Sequence, residues 1–278
     1  MDTIVGLGNA GCKLADELSK YPQYKIYKLD TNLPEAEENY SLPKLTNPEE
    51  YDALELNLGD FFKEATQDVL FIVAGSGLIS NASLAVLKAL RKHRVSIMYI
   101  KPDLELLTPQ SIPWLSERAV FGVLQELTRS GLFEKMWIIS NPHVEKIIGD
   151  VPIIGYYDKL NEMIATTFHM INVFRHVDPI IENRSEIPKG CRIGTLGIAN
   201  MKNQKKLFFP LDDTSDSDYI FSVGREILEN DGSLLKRINK IIKEVNHRAY
   251  YGVYASKYDD IHVYLEQLTS IIQKQEIS

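Results

Sequence analysis

The chain has 278 residues, 44% hydrophobic and 25% charged, and a formal net charge of −7, a composition that excludes intrinsic disorder. A pI near 5.5 argues against direct nucleic-acid binding, and Cys12 and Cys191 are too few for a disulfide framework or a thiolate metal site. No apolar run reaches the ~18–20 residues of a membrane helix and the start lacks a signal-peptide pattern, so a soluble, cytoplasmic protein without membrane insertion is expected.

Short apolar runs rich in Ile and Val predict strands at Thr3–Gly8, Tyr24–Asp30, Val69–Gly75, Val95–Pro102 and Met136–Asn141. Helical patterns lie between them at Gly11–Lys20, Ala82–His93, Ser116–Ser130 and His143–Gly149. Strand–helix alternation of this kind reads as α/β, a doubly wound parallel sheet. Two stretches break the rhythm. Leu33–Asp60 holds Pro34, Pro43 and Pro48 with an acidic bias and is expected as a long loop with a turn of helix, and Asp103–Pro113 is irregular.

From Tyr156 to His176 the helical pattern is uninterrupted, and its ~21 residues would span ~31 Å. Asp178-Pro179 and the polar run Glu182–Gly190 end it. Strands are then expected at Arg192–Ala199, Lys206–Phe209, Tyr219–Val223, Ala249–Ala255 and Ile261–Gln267, with one amphipathic helix at Leu234–His247. The expected division is an N-terminal domain over 1–155, a central connecting helix over 156–177, and a smaller β-rich α+β domain over 178–278.

Gly6, Gly8 and Gly11 match G-x-G-x-x-G between the first strand and first helix, and Asp30 ends the second strand 19 residues after Gly11. Glycines there let a backbone approach a phosphate at a helix N-terminus, and the acid is placed for a ribose hydroxyl. A nucleotide loop and a tight turn in a vestigial site both fit these residues. No G-x-x-x-x-G-K-[ST] sequence is present.

The order of further motifs resembles the tubulin/FtsZ superfamily from about Asp2 to Thr269. Ile4–Gly11 looks like that family's first nucleotide loop, Lys28–Asn32 sits where FtsZ proteins carry Asn-Thr-Asp, and Asn47-Pro48-Glu49 is similar to a third-loop motif. Val69–Gly77 resembles the strand entering the phosphate loop, Val95–Ile100 with Lys101-Pro102 the next strand, and Trp137–Asn141 the strand before a short helix. Tyr157 and Asn161 stand where the family stacks an aromatic on guanine and reads the base edge one helical turn on. The resemblance implies a GTP- or GDP-binding cytoskeletal protein that assembles with itself, head to tail, into filaments. Gly6, Gly8, Asn9 and Gly11 would hold phosphates, with Gly75, Ser76, Gly77, Ser80 and Asn81 as the second loop, and Asn141, Tyr157 and Asn161 would hold the base. Asp178, and less well Glu182, would act catalytically on the next subunit's nucleotide, so that a GTPase is completed across the interface. Magnesium usually accompanies such triphosphates, but no residue of the sequence can be named for it.

The sequence also departs from that family. Gly75–Asn81 replaces a run of glycines and threonines, with bulky Leu78 and Ile79 inside it, although Ser80 and Asn81 could still donate. Asp178 and Glu182 are four apart rather than three, and no tail peptide for tethering partners is expected after the last apolar segment. A degenerate member acting as a structural or interaction protein is therefore a second expectation, and an NAD-dependent oxidoreductase, resting on Gly6–Gly11 and Asp30, a third. The histidines show no metal-ligand pairing, and Cys12 reads as a small packing residue despite its place near a helix N-terminus.

Overall fold

Residues along each N-terminal strand alternate sides, and this alternation builds two cores from one sheet. The computed structural model describes residues 2–184 and 190–274. Strands β1 (Thr3–Leu7), β2 (Lys25–Asp30), β3 (Asn39–Ser41), β4 (Asp68–Ala74), β5 (Arg94–Lys101) and β6 (Met136–Ser140) pair in parallel in the order β3-β2-β1-β4-β5-β6. This is the doubly wound order, with its switch point between β1 and β4. Ile4, Leu70, Ile72, Met98 and Trp137 pack beneath α1 (Gly8–Leu18), α5 (Asn141–Ile148) and α6 (Tyr156–Phe174). Val5, Phe71, Val73, Tyr99 and Ile138 face the other way, onto α2 (Pro48–Asp52), α3 (Ser83–Ala89) and α4 (Ile112–Arg129).

The second half is built on antiparallel pairing. Strand β12 (Ile261–Thr269) lies antiparallel between β8 (Ile193–Ala199) and β10 (Asp216–Gly224). Strand β10 also pairs in parallel with β11 (Arg248–Ser256), whose far edge takes β7 (Ile181–Glu182), while β9 (Lys205–Leu207) borders β8. Helices α7 (Arg225–Asn230) and α8 (Leu234–Lys243) cover Tyr219, Phe221 and Val223 on one face. The other face, with Leu196, Ile220, Tyr254 and Tyr264, meets α6. Hydrogen bonding between β6 and β8, at Met136↔Ile193 and Trp137↔Gly194, joins the halves into one sheet. The architecture is α/β with a long central helix and a smaller α+β half, as the sequence predicts.

Differences from the expected elements have local causes. Helix α1 starts at Gly8 rather than Gly11, because Gly8 at φ +71° turns the chain from strand into helix without a loop. Helix α4 starts at Ile112 rather than Ser116: the Ser111 hydroxyl accepts from the Trp114 N–H, and Pro113 sits in the first turn, where a missing N–H is harmless. Within 33–60 the turn of helix is α2, held by a reciprocal Asn47–Glu50 capping box, and the edge strand β3 has only Asn-Tyr-Ser to announce it. Strand β10 reaches back to Asp216 through polar residues. Asp216 pairs with Arg248 at 2.8 Å and Asp218 with Arg184 at 3.0 Å, which lets a buried strand carry charge. Of the polar run Glu182–Gly190, residues 185–189 lie outside the described residues.

Helix α6 spans both halves and is fixed at its C-terminal end by one buried carboxylate. Glu266 on β12 accepts from Trp137 Nε1 at 2.6 Å, from Lys135 Nζ at 2.9 Å, and from Arg175, the residue capping α6, at 2.6 Å. Burial would raise its pKa, but Arg175 and Lys135 outweigh burial and hold it down to about 2. Burial wins at Lys135, whose ammonium is pushed below its usual value, so the attraction is partly spent on desolvation.

A carboxylate depressed in this way contributes its full stabilisation above its ordinary 4.5 and loses it as pH falls through about 2. Glu266→Gln leaves two cations short of a partner and is expected to lower the unfolding free energy at pH 7 by ~3–5 kcal/mol. The deficit should shrink as pH falls from 4.5 toward 2. Urea titrations at pH 7 and pH 3, followed by Trp137 fluorescence, check both statements.

Candidate functional site

The C-terminal ends of β1, β4, β5 and β6 open onto a cavity of about 570 Å³, within the size range of small-molecule sites. Its lining includes Asn9, Ala10 and Lys13 from α1, Ala74 and Ser76 after β4, Ile100 and Pro102 at the end of β5, Asn141 from α5, and Tyr157 and Asn161 from α6. This is the position outside a switch point where open α/β sheets bind ligands. The N-termini of α1, α5 and α6 meet there, none with a side-chain hydrogen bond at its cap. Their free N–H groups and dipole ends favour an anion.

The polar side chains on this wall are uncommitted. Among the described residues, Asn9, Lys13, Ser76, Asn141 and Asn161 make no side-chain hydrogen bond or ion pair, although other polar groups nearby do. Tyr156 donates to Glu145 at 2.7 Å, which fixes the start of α6 against α5; burial and the Glu145 carboxylate push the Tyr156 phenol up to about 12. Tyr157 is 57% exposed, one turn before Asn161 on the same side of α6. A ring with a free face beside an unpaired amide can stack on a planar heterocycle and read its edge.

The glycines of the first loop serve packing. A Cβ on Gly6 would lie 2.5 Å from the Gly11 carbonyl oxygen, and one on Gly11 would lie 2.5 Å from that of Ile72. Both let α1 sit directly on β1 and β4. Cys12 belongs to the same contact: its thiol donates to the Gly6 and Leu29 carbonyls, and burial, with Asp30 nearby, pushes it up to about 12. It is a packing residue. Asp30 is not on the cavity wall; its carboxylate accepts the Thr31 N–H at 2.7 Å.

The second loop is turned inward. Gly75 lies against the Tyr99 hydroxyl and the Glu117 side chain, leaving no space for a Cβ, and its N–H donates to the Ile100 carbonyl at 3.3 Å. Below it Lys101 and Glu117 form a fully buried pair at 2.7 Å, with the ammonium 4.0 Å from the centre of the Phe121 ring. Ser80 donates its hydroxyl to the carbonyls of Gly75 and Gly77, at 3.0 and 2.6 Å, and Asn81 donates to Leu78 and Ser116. Neither faces the nucleotide-sized cavity. Both line a separate groove between α2, α3 and α4. Ile79 covers Gly8, its Cγ2 being 2.7 Å from where a Cβ on Gly8 would stand.

Asp178 and Glu182 lie beyond the other end of α6, both exposed, with Glu182 paired to Gly252 at the sheet edge. The 19 residues of α6 put about 28 Å between its two ends. Of the expected site residues, the structure thus brings Asn9, Ser76, Asn141, Tyr157 and Asn161 to one cavity and leaves the rest around or away from it. Sequence reasoning missed Lys13, which stands four residues after Asn9 on one face of α1; that spacing was the available signal. It also missed the Tyr156–Glu145 contact, which joins two helices and has no signature in spacing. No group of three metal-ligating residues exists among the described residues.

No family model matches the sequence, and no curated protein matches it. Solved structures do. CetZ2 from Haloferax volcanii, a GTPγS-bound protofilament, superposes with a TM-score of 0.73 at 14% identity over 97% of this chain and 94% of that one. A GTPγS-form protofilament of TubZ from Bacillus thuringiensis serovar israelensis gives 0.73 at 12% identity, over 96% and 86%. The empty FtsZ dimer of M. jannaschii gives 0.70 at 12% identity, over 96% and 87%. Together with the strand order, the long central helix and the cavity at the switch point, these likenesses assign the chain the tubulin/FtsZ fold.

Proposed function

We propose that the chain binds a guanine nucleotide, GDP or GTP, in the cavity beside α6 and assembles head to tail into filaments. The observation that carries this reading is the set of uncommitted polar side chains, Asn9, Lys13, Ser76, Asn141 and Asn161, around a cavity with Tyr157 at its mouth. In this reading Tyr157 stacks on the base, Asn161 and Asn141 take its edge, and the α1 N-terminus with Lys13 and Ser76 takes the phosphates. Residues 1–155 would form the nucleotide-binding domain, 156–177 the connecting helix and 178–278 the smaller domain. The donors for a protein-held magnesium do not fit: Asp103 accepts from the Glu105 N–H and Glu145 from Tyr156, so both carboxylates on the cavity wall are engaged.

Exposed apolar residues at the two ends of α6 support assembly. Ile153 and Ile154 are each 94% exposed just before α6, and Leu106, at 82%, lies on the cavity rim. Beyond the far end of α6, Val177, Ile180 and Ile181 are exposed around Asp178. Two apolar surfaces at opposite ends suit a heterologous contact, which repeats without closing and makes a filament. CetZ and TubZ were solved as protofilaments. In such a contact Asp178 and Glu182 would face the neighbour's nucleotide, and hydrolysis there would require a third phosphate in the cavity.

Asn161→Ala is expected to weaken guanine-nucleotide binding by ~1–3 kcal/mol, the cost of leaving a hydrogen-bonded partner unpaired. Calorimetry checks this, and equal affinity of the unaltered protein for adenine and guanine nucleotides would sink the base assignment. Replacing Ile153 and Ile154 together by Lys should abolish sedimentable polymer while leaving nucleotide affinity within about twofold, since both side chains point to solvent in the monomer. Pelleting and light scattering decide it; polymer at unchanged yield would place the contact elsewhere.

A further inference from the structure

Resting on the guanine reading above, we propose that the cavity takes a guanosine diphosphate and excludes the γ-phosphate, with Ile79 filling the space a third phosphate needs and Lys13 holding the charge of the first two. The argument starts from donors. A phosphate chain running from a base at Tyr157 and Asn161 reaches the α1 N-terminus, where Asn9, Ala10 and Lys13 line the wall and Ser76 faces them. Beyond that point the second loop has nothing left to give. The Gly75 N–H is bonded to the Ile100 carbonyl and the Ser80 N–H to that of Gly77. The Ser80 hydroxyl is bonded to Gly75 and Gly77, and the Asn81 amide to Leu78 and Ser116.

In place of donors there is a methyl group. Ile79 lies directly on Gly8, the residue that turns β1 into α1, and Ile79 and Leu78 both pack against the core under α3 and α4. Swinging Ile79 aside would expose that apolar surface and open the contact between the two loops. Charge points the same way. Lys13 is the cationic residue of the cavity wall, which also carries Asp103 and Glu145. A diphosphate is matched by Lys13, the helix N-terminus and Ser76; the further charge of a third phosphate would meet an apolar side chain with no hydrogen bond to offer. The nucleotide is then a resident ligand of the fold, and filament turnover is governed by its exchange.

Calorimetric titration of the intact protein with guanosine, GMP, GDP and GTP, each with and without magnesium chloride, tests this. Affinity is expected to rise about tenfold or more from guanosine to GDP, and GTP to bind more than about threefold more weakly than GDP. Lys13→Gln should remove most of the gain from guanosine to GDP while leaving guanosine itself within about twofold. Ile79→Gly should close the gap between GTP and GDP; if thermal melting shows that it does not fold, Ile79→Ala replaces it, with a partial closing expected. GTP within about threefold of GDP, or tighter, on the unaltered protein overturns the proposal and leaves the guanine reading standing. A folded Ile79 variant with an unchanged ratio also overturns it. Absence of binding by any of the four ligands removes the guanine reading itself, and this proposal with it.

Discussion

The structure depends on keeping one carboxylate charged in an apolar interior. Glu266 sits where β12, the start of β6 and the end of α6 come together, and it is satisfied only when all three are in place. Lys135 and Trp137 belong to the first half of the chain, Glu266 to the second, and Arg175 to the helix between them. A buried ion cluster of this kind adds little net stability over an apolar replacement, but a misplaced partner is heavily penalised. It therefore fixes how the two halves meet. The helix that it pins carries Tyr157 and Asn161 at one end and leads to Asp178 beyond the other, so the geometry of both ends follows from it.

The switch-point cavity shows how packing and ligand binding compete for the same residues. Close approach of α1 to the sheet needs Gly6 and Gly11, and the turn between strand and helix needs Gly8. Those demands are met whether or not a phosphate is present. In the second loop, Leu78 and Ile79 gain burial against the core, and Ser80 and Asn81 bond their own loop and its neighbour. Such a loop is stable without a ligand, which an open run of glycines is not. The fold is kept while the surface offered to a phosphate chain is reduced, which is consistent with the strong structural likeness to CetZ, TubZ and FtsZ at 12–16% identity.

Much of the fold was legible because parallel strands covered on both faces leave continuous Ile- and Val-rich runs, as in Val69–Val73 and Ile97–Ile100. Strand β10 was only half legible. Its Asp216, Ser217 and Asp218 look like loop residues until Arg248 and Arg184, distant in sequence, neutralise the charges. The site was legible where residues share one helix face, as Tyr157 and Asn161 do, and illegible where it depends on which way a loop faces. Ser80 and Asn81 have the right chemistry for phosphate and are turned away from the cavity.

The sequence by itself determined the alternation of strand and helix, the long helix from Tyr156, the change to β-rich pairing after it, and the residue types that meet at the switch point. These follow from periodicity and composition, which act within a few residues. Only the tertiary structure decided that Ile79 lies on Gly8, that Lys13 faces the cavity without a partner, and that Glu266 joins the halves. Each is a contact between segments far apart in the chain, and the side chain's neighbours, not its own chemistry, set whether a donor is free or spent.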